Sequence, residues 1–152
     1  SLISTSCEIG AITASKKKAD RRNLSSFGKN LGMAFQIKDD LFDILGSSKD
    51  TGKDVNSDVS RNMITLPVIH TLERSLTSKE RKHIRKTMKN GASKKDVRLL
   101  TEIVDSHGGF DYARDQIKSY SDRAIEALAD FPDSPYKQSL VDLTAYNANR
   151  NR

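Results

Sequence analysis

Apolar residues return along this chain in steps of three and four. Leu2, Ile3, Cys7, Gly10, Ala11 and Ala14 keep that spacing, which predicts a helix over residues 1–15 with small residues on its packed face. Gly10, having no side chain, is the position expected to let another helix approach closely. The pattern is already under way at Ser1-Leu2-Ile3, with no Met and no capping residue ahead of it, so the chain reads as one cut from something longer. Lys16-Lys17-Lys18 and Arg21-Arg22 form a basic connector. Leu24, Phe27, Leu31, Ala34 and Phe35 then resume helical spacing to about Leu45, the longest helix expected. From Gly46 to Asp58 the pattern stops, and Gly, Ser, Asp, Asn and Lys dominate a loop long enough to suggest function.

Local chemistry marks the remaining helix ends. Pro67 belongs in the early part of a helix, where its missing N–H costs nothing. Thr77-Ser78-Lys79-Glu80 has the form of a capping box, in which a Thr oxygen accepts from the third helical N–H and a Glu reaches back to the cap. Asn90-Gly91 stops that helix. Ser93 to Asp96 starts the next, carried by Val97, Leu100 and Val104 and ended by His107-Gly108-Gly109. Ala113, Ile117, Tyr120, Ala124 and Leu128 make one stripe up to Pro132. Ser134-Pro135 is an N-cap followed by proline at the first helical position, opening a last helix with Tyr136, Leu140 and Leu143 on one face. No period-two strand and no internal repeat is present, so the expected class is all-α, a helical bundle of six or so helices.

Composition narrows the function classes. The 152 residues carry 26 Lys and Arg against 20 Asp and Glu, a net charge of +6, with one Cys and no Trp. The mean hydropathy is −0.62, and no stretch approaches the roughly 20 apolar residues of a membrane span. No signal peptide is recognisable. Cys7 alone cannot form an internal disulfide, and no Cys/His cluster has zinc-ligand spacing, so a reducing, cytoplasmic location is expected. The positive charge would suit nucleic acid, anionic lipid or a phosphorylated small molecule.

The candidate chemistry lies in Gly32-Met33-Ala34-Phe35-Gln36-Ile37-Lys38-Asp39-Asp40-Leu41-Phe42-Asp43. At about 100° per residue, Asp39, Asp40 and Asp43 fall within an arc of roughly 100° on one helix, and Gln36 lies in the same arc one turn earlier. Asp39 and Asp43 repel at i, i+4, and Asp is a mediocre helix former, so the arrangement is locally unfavourable. Conflicts of this kind collect at functional sites. A hard divalent cation resolves the repulsion, because Mg²⁺ takes one or two carboxylates together with water and substrate phosphate oxygens. The competing reading is a solvated acidic face. Against it, the acids stand among Phe35, Ile37, Leu41, Phe42 and Ile44 with only Lys38 of opposite sign close by, and the neighbouring loop adds Lys49, Lys53 and Asp54.

These residues resemble the second aspartate-rich motif of the trans-type polyprenyl diphosphate synthases, G-x-A-F-Q-I-K-D-D-L-F-D. Thr51-Gly52-Lys53, Asp58 and Thr65-Leu66-Pro67-Val68-Ile69 are similar to that family's G-K, D and T-L-P-L-I segment, Gly108-Gly109-Phe110-Asp111-Tyr112-Ala113 to its G-G-x-x-Y-A helix start, and Phe131 to Ser134 with the ending Asn149 to Arg152 to its basic C-terminus. Ser1 to Ala14 resembles the helix after the family's K-T-A motif. The resemblance covers the C-terminal half of such an enzyme, without the first aspartate-rich motif. Met63 departs from the lysine that many members carry before T-L-P, as subgroups of the long-chain enzymes also do. The wording of the chain, including Cys7 to Ala11 and Ser78 to Lys82, is closest to the octaprenyl-type synthases.

The resemblance implies an all-α isoprenoid synthase fold, a homodimer, and condensation of isopentenyl diphosphate with an allylic diphosphate, the lipid product passing to a membrane. It implies Mg²⁺ on Asp39, Asp40 and Asp43, with Lys53, Arg150 and Arg152 binding substrate diphosphate and Gln36 and Thr65 beside the reacting carbons. A half-enzyme lacking the first motif is expected to be inactive alone. Three rivals remain: a non-catalytic basic helical module whose acids hold a structural metal, a regulatory subunit of a heteromeric synthase, and a terpene cyclase. Retention of all three aspartates counts against the regulatory subunit, and the lack of an N-D-x-x-S-x-x-x-E motif counts against the cyclase. His70, His83 and His107 have no ligand partner at i+4 and read as structural or surface residues. The basic helix Lys79 to Lys89 has no interleaved aromatic residue and reads as a solvated face rather than a nucleic-acid or lipid surface. Lys16 to Lys18 read likewise, and Tyr112, Tyr120, Tyr136 and Tyr146 read as core or rim residues.

Overall fold

The computed structural model describes residues 2–15, 17–49, 64–90 and 93–150. Among them are seven helices and no strand: α1 (Leu2–Ala14), α2 (Lys18–Lys49), α3 (Leu66–Leu72), α4 (Ser78–Asn90), α5 (Lys94–Ser106), α6 (Gly109–Glu126) and α7 (Pro135–Asn149). The all-α expectation holds. No helix among the described residues is long and apolar enough to cross a membrane. The chain forms two compact units, one of Ser1–Lys38 with Asp115–Arg152 and one of Asp39–Arg114.

In the first unit Phe27, Leu31, Ala124 and Leu128 are buried together, with Ile3, Cys7, Leu24, Leu140 and Val141 packed around them. Each fully buried aliphatic or aromatic side chain contributes about 1.5–3 kcal/mol of transfer free energy, several times any propensity difference, so packing selects which helix faces meet. The packed face of α1 is Ile3, Ser4, Cys7 and Ala11. Burial pushes the Cys7 thiol pKa up, and Ser4 donates its hydroxyl to the Ser25 carbonyl at 3.0 Å. The close approach of α1 and α2 is made at Gly28, not at Gly10. A Cβ on Gly28 would lie 2.7 Å from the Ile3 carbonyl oxygen and 2.9 Å from Cys7 Sγ, whereas one on Gly10 would meet nothing within 4 Å.

The basic connector is shorter than expected. Lys18, Arg21 and Arg22 are already helical, because Asp20 in the first turn suits the positive end of α2. At its other end α2 continues through Gly46 to Lys49, so the first four residues of the expected loop are helical, and residues 50–63 lie outside those described. On α7 the Ser134 oxygen accepts from the Lys137 N–H and Pro135 opens the helix, as the sequence indicates. Its buried face is a correction. Leu140, Val141, Thr144 and Asn147 face inward, while Tyr136 is 85% exposed, Leu143 is half exposed and Tyr146 is exposed. Two apolar stripes compete on this helix, and periodicity alone does not say which one finds the core. Tyr136 and Tyr146 are therefore surface residues, while Tyr112 and Tyr120 sit at the rim.

In the second unit Val68, Ile84, Val97, Leu100, Val104, Phe110 and Ala113 are buried. The expected capping box at Thr77 forms, and a second one is found at Ser93, where the sequence marks only a helix start. Glu80 accepts from the Thr77 N–H at 2.8 Å while Thr77 Oγ1 accepts from the Glu80 N–H; Ser93 and Asp96 repeat the pattern at the start of α5. α4 ends at Asn90, and Gly91 lies outside the described residues. Gly108 takes φ +72°, a left-handed conformation that costs glycine little. Gly109 then opens α6 against α3: a Cβ there would lie 2.6 Å from Thr71 Oγ1 and 2.7 Å from the Pro67 carbonyl. The next turn stacks Tyr112 on His70, ring centroids 3.9 Å apart and planes within 10°.

Candidate functional site

The acidic wall is built on α2 by its buried stripe. Ile37, Leu41 and Ile44 recur at helical spacing and are each almost wholly buried, which fixes the rotation of the helix and turns Asp39, Asp40 and Asp43 away from the apolar side. Asp39 and Asp40 are half-buried and Asp43 is exposed. The Asp43 carboxyl is held above its usual range, first by partial loss of solvent and then by the Asp40 and Asp39 charges beside it. Gln36, one turn before Asp40 on the same helix, is exposed. Among the described residues no three His, Cys, Asp or Glu side chains converge closely enough to hold a metal ion by themselves. The donors are hard oxygens and one of them is destabilised by its neighbours, so the wall fits a hard cation that brings other oxygen ligands with it.

Thr65 occupies the N-cap position of α3, with extended backbone at φ −105° and ψ 167°. A threonine there ordinarily spends its hydroxyl on the first turn. Here the side chain makes no cap bond, and Oγ1 is buried without a hydrogen-bond partner. Pro67 in the first turn removes one of the N–H groups that need capping. Leaving such an oxygen unpaired costs about 1–3 kcal/mol; Ser121 and Asn147 are in the same position, so the feature marks the Thr65 hydroxyl as available rather than as functional.

His70 is structural, as the sequence suggests. Arg74 lies 2.8 Å through Nη2 and 3.1 Å through Nε from His70 Nε2, with Nε donating to the ring. Burial and the Arg74 charge hold the His70 pKa down. His83 and His107 likewise contact backbone or cap groups. Arg150 lies over the Phe35 ring, 4.3 Å from guanidinium carbon to centroid, and Nη2 donates to the Phe35 carbonyl at 3.4 Å. Lys38 donates to the Ala148 carbonyl at 2.9 Å, near the carboxyl end of α7. Sequence reasoning missed both ties, since more than a hundred positions separate the partners and neither residue carries a local signal. Lys53, Asp54, Asp58, Met63 and Arg152 lie outside the described residues.

Comparison with known proteins gives a consistent result. The sequence model of the polyprenyl synthetase family matches residues 1–105. An octaprenyl diphosphate synthase of Haemophilus influenzae is 29% identical over 144 residues, 95% of this chain and 44% of its own length. A geranylgeranyl diphosphate synthase of Saccharolobus solfataricus is 38% identical over 86% of this chain and 39% of its own length. Among solved structures, a decaprenyl diphosphate synthase from Rhodobacter capsulatus superposes with a TM-score of 0.86 at 32% identity, over 99% of this chain and 46% of that one. A polyprenyl synthase from Caulobacter crescentus, complexed with calcium and isoprenyl diphosphate, gives 0.83 at 29% identity, over 99% of this chain and 46% of that one. The chain spans less than half the length of these relatives.

Proposed function

The chain belongs to the polyprenyl synthetase family, and on that premise we propose that it is the C-terminal portion of a trans-prenyltransferase that joins isopentenyl diphosphate to an allylic diphosphate. The product proposed is a long-chain, octaprenyl-like diphosphate, and the complete enzyme a homodimer. The observation that carries the reading is the triple-carboxylate wall of α2, with its repelled Asp43. Asp39, Asp40 and Asp43 would hold Mg²⁺ jointly with diphosphate oxygens and water. Bound there, the cation would stabilise the charge that grows on the leaving diphosphate as the allylic C–O bond ionises.

The remaining roles belong to the chain's own groups. Lys53 offers a compact positive charge to the allylic diphosphate, and Arg150 and Arg152 offer guanidinium groups to substrate diphosphate. The Phe35 ring under Arg150 keeps that plane from wandering. Thr65 presents a buried hydroxyl not spent on its helix, and Gln36 an amide. Both can set a dipole against an allylic cation without capturing it. The leaving diphosphate itself takes the proton lost at the end, so no histidine base is required, in keeping with the structural role of His70.

The test is calorimetric titration of Mg²⁺ into the chain with and without inorganic diphosphate. Metal binding that depends on diphosphate, and that Asp39→Ala or Asp40→Ala abolishes, is the expected result. Tight binding without diphosphate would favour a structural metal module instead. Prenyl transfer from farnesyl diphosphate by the chain alone would contradict the proposal that its acids work opposite a second aspartate-rich motif.

A further inference from the structure

The basic helix α4 takes no part in the proposed chemistry, yet its cations are organised. Lys79, Lys82 and Lys86 stand at i, i+3 and i+7, within an arc of about 60°. That arc borders a groove of about 430 Å³ whose opposite wall, from α5, is Leu99 and Ile103. Its volume lies in the range of roughly 300–1,000 Å³ usual for small-molecule sites. His83 ties the two walls together by donating from Nε2 to the Asp96 carbonyl at 3.1 Å. Leu99 is 41% exposed, apolar surface left open beside three ammonium groups.

The local carboxylates offset this wall only in part: Glu80 lines the groove and Asp96 feels the charge of Lys86, but two acids face three lysines and both acids are bound to helix caps. Glu80 accepts from the Thr77 N–H at 2.8 Å and the Thr77 hydroxyl at 2.6 Å, and its other oxygen faces His107 at 4.0 Å. Asp96 accepts from the Ser93 N–H at 3.2 Å and the Ser93 hydroxyl at 2.6 Å. These bonds hold both carboxyl pKa values down, so both stay charged while serving as helix caps. None of the three lysines forms an ion pair among the described residues.

We propose that the groove between α4 and α5 binds a phosphate-headed amphiphile, supplied as an anionic phospholipid at a membrane surface. Three exposed ammonium groups on the rim suit phosphate oxygens, and the open Leu99 side chain, backed by the largely buried Ile103, suits the first methylenes of an acyl chain. Ile84, the apolar residue at the middle of α4, is fully buried, so the helix offers charge to a membrane without an apolar face to insert. No Phe, Tyr or Trp lines the groove, and the one ring there, His83, is tied to the Asp96 carbonyl, so the groove lacks the run of stacking rings that single-stranded nucleic acid uses.

Cosedimentation of the 152-residue chain with vesicles tests this, comparing phosphatidylcholine alone with equal parts phosphatidylcholine and phosphatidylglycerol. Circular dichroism of each variant checks that its helices are kept. Binding to the anionic vesicles only is expected. A lysine close to such a surface is worth roughly fivefold in partitioning, so Lys79→Gln, Lys82→Gln and Lys86→Gln together should lose about 100-fold. Lys82→Glu should weaken binding more than Arg85→Glu, an equal charge change on the same helix outside the groove, and Leu99→Asn should weaken it with no charge change. Equal losses for Lys82→Glu and Arg85→Glu, an indifferent Leu99→Asn, or no binding would overturn the groove. Displacement by inorganic phosphate at matched phosphate concentration would overturn the membrane source, and tighter binding of an RNA oligonucleotide than of vesicles would overturn the lipid. None of these readouts involves the α2 aspartates, so this proposal and the prenyltransferase reading fail separately.

Discussion

The three aspartates of α2 set charge against stability, and each side of that conflict is measurable. Folding raises the Asp43 pKa above its ordinary 3.8, so the folded state holds that proton more tightly than the unfolded chain does. Its contribution to stability is therefore most favourable below the ordinary value, declines as pH rises through the raised value, and stays at its lowest above it. Asp43→Asn should flatten that decline and raise the melting temperature slightly at neutral pH. Because Asp43 is exposed, solvent screening keeps the gain to a few tenths of a kcal/mol. A lower melting temperature at neutral pH would mean that the carboxylate is stabilised in the apo fold. Activity should move the other way. In the complete enzyme, Asp39→Ala or Asp40→Ala should lower kcat by orders of magnitude with little change in melting, since losing a repelling acid costs the apo fold little. Steady-state kinetics beside thermal melts of the same variants separate the two effects, and an unchanged kcat would return these acids to a solvated face.

Glycines separate what a single helix reveals from what only a pair of helices reveals. Gly10 is open on all sides, so Gly10→Ala should stabilise the chain by about 0.5–1 kcal/mol through helix propensity. Gly28→Ala and Gly109→Ala would drive a Cβ to within 2.7 Å of backbone oxygens of α1 and α3 respectively, and overpacking of this kind costs about 1–3 kcal/mol. Urea midpoints of the three variants check the ranking, and a stabilising Gly28→Ala would refute the close approach. Caps were legible in the sequence because Thr77, Ser93 and Ser134 act on N–H groups three residues away, inside their own segment. Gly28 was not, because its neighbour comes from another helix. The inward face of α7 was not legible either, since the Tyr136 stripe is as apolar as the one that packs. At the site, the crowding of Asp39, Asp40 and Asp43 could be read from spacing alone. That Thr65 makes no cap bond required the structure, because the sequence singles out Thr65 only through the family resemblance and does not say where its hydroxyl is spent.

Two helices of the first unit carry apolar residues outward in the same rhythm. Leu2, Ile9 and Ile12 on α1, and Tyr136, Leu143 and Tyr146 on α7, each lie at i, i+7 and i+10, an arc of about 80°, and all six are exposed, from 49% at Ile12 to 85% at Tyr136. Isolated apolar residues at a surface are ordinary, but ordered stripes of this kind mark surfaces that pack against something. A chain spanning less than half of its relatives' length leaves ample room for such a partner in a complete enzyme. Alone in solution, the stripes should be satisfied by a second copy or else stay open to solvent. The 152-residue chain is therefore expected either to grow in mass with concentration by light scattering or to bind a hydrophobic dye, and Ile9→Glu with Ile12→Glu should reduce whichever occurs. These positions lie on the exposed side of α1, opposite Cys7 and Ala11, so the double variant should keep its helical circular dichroism. A compact monomer that melts cooperatively and binds no dye would show that the stripes are ordinary surface and that the chain needs no partner to close its core.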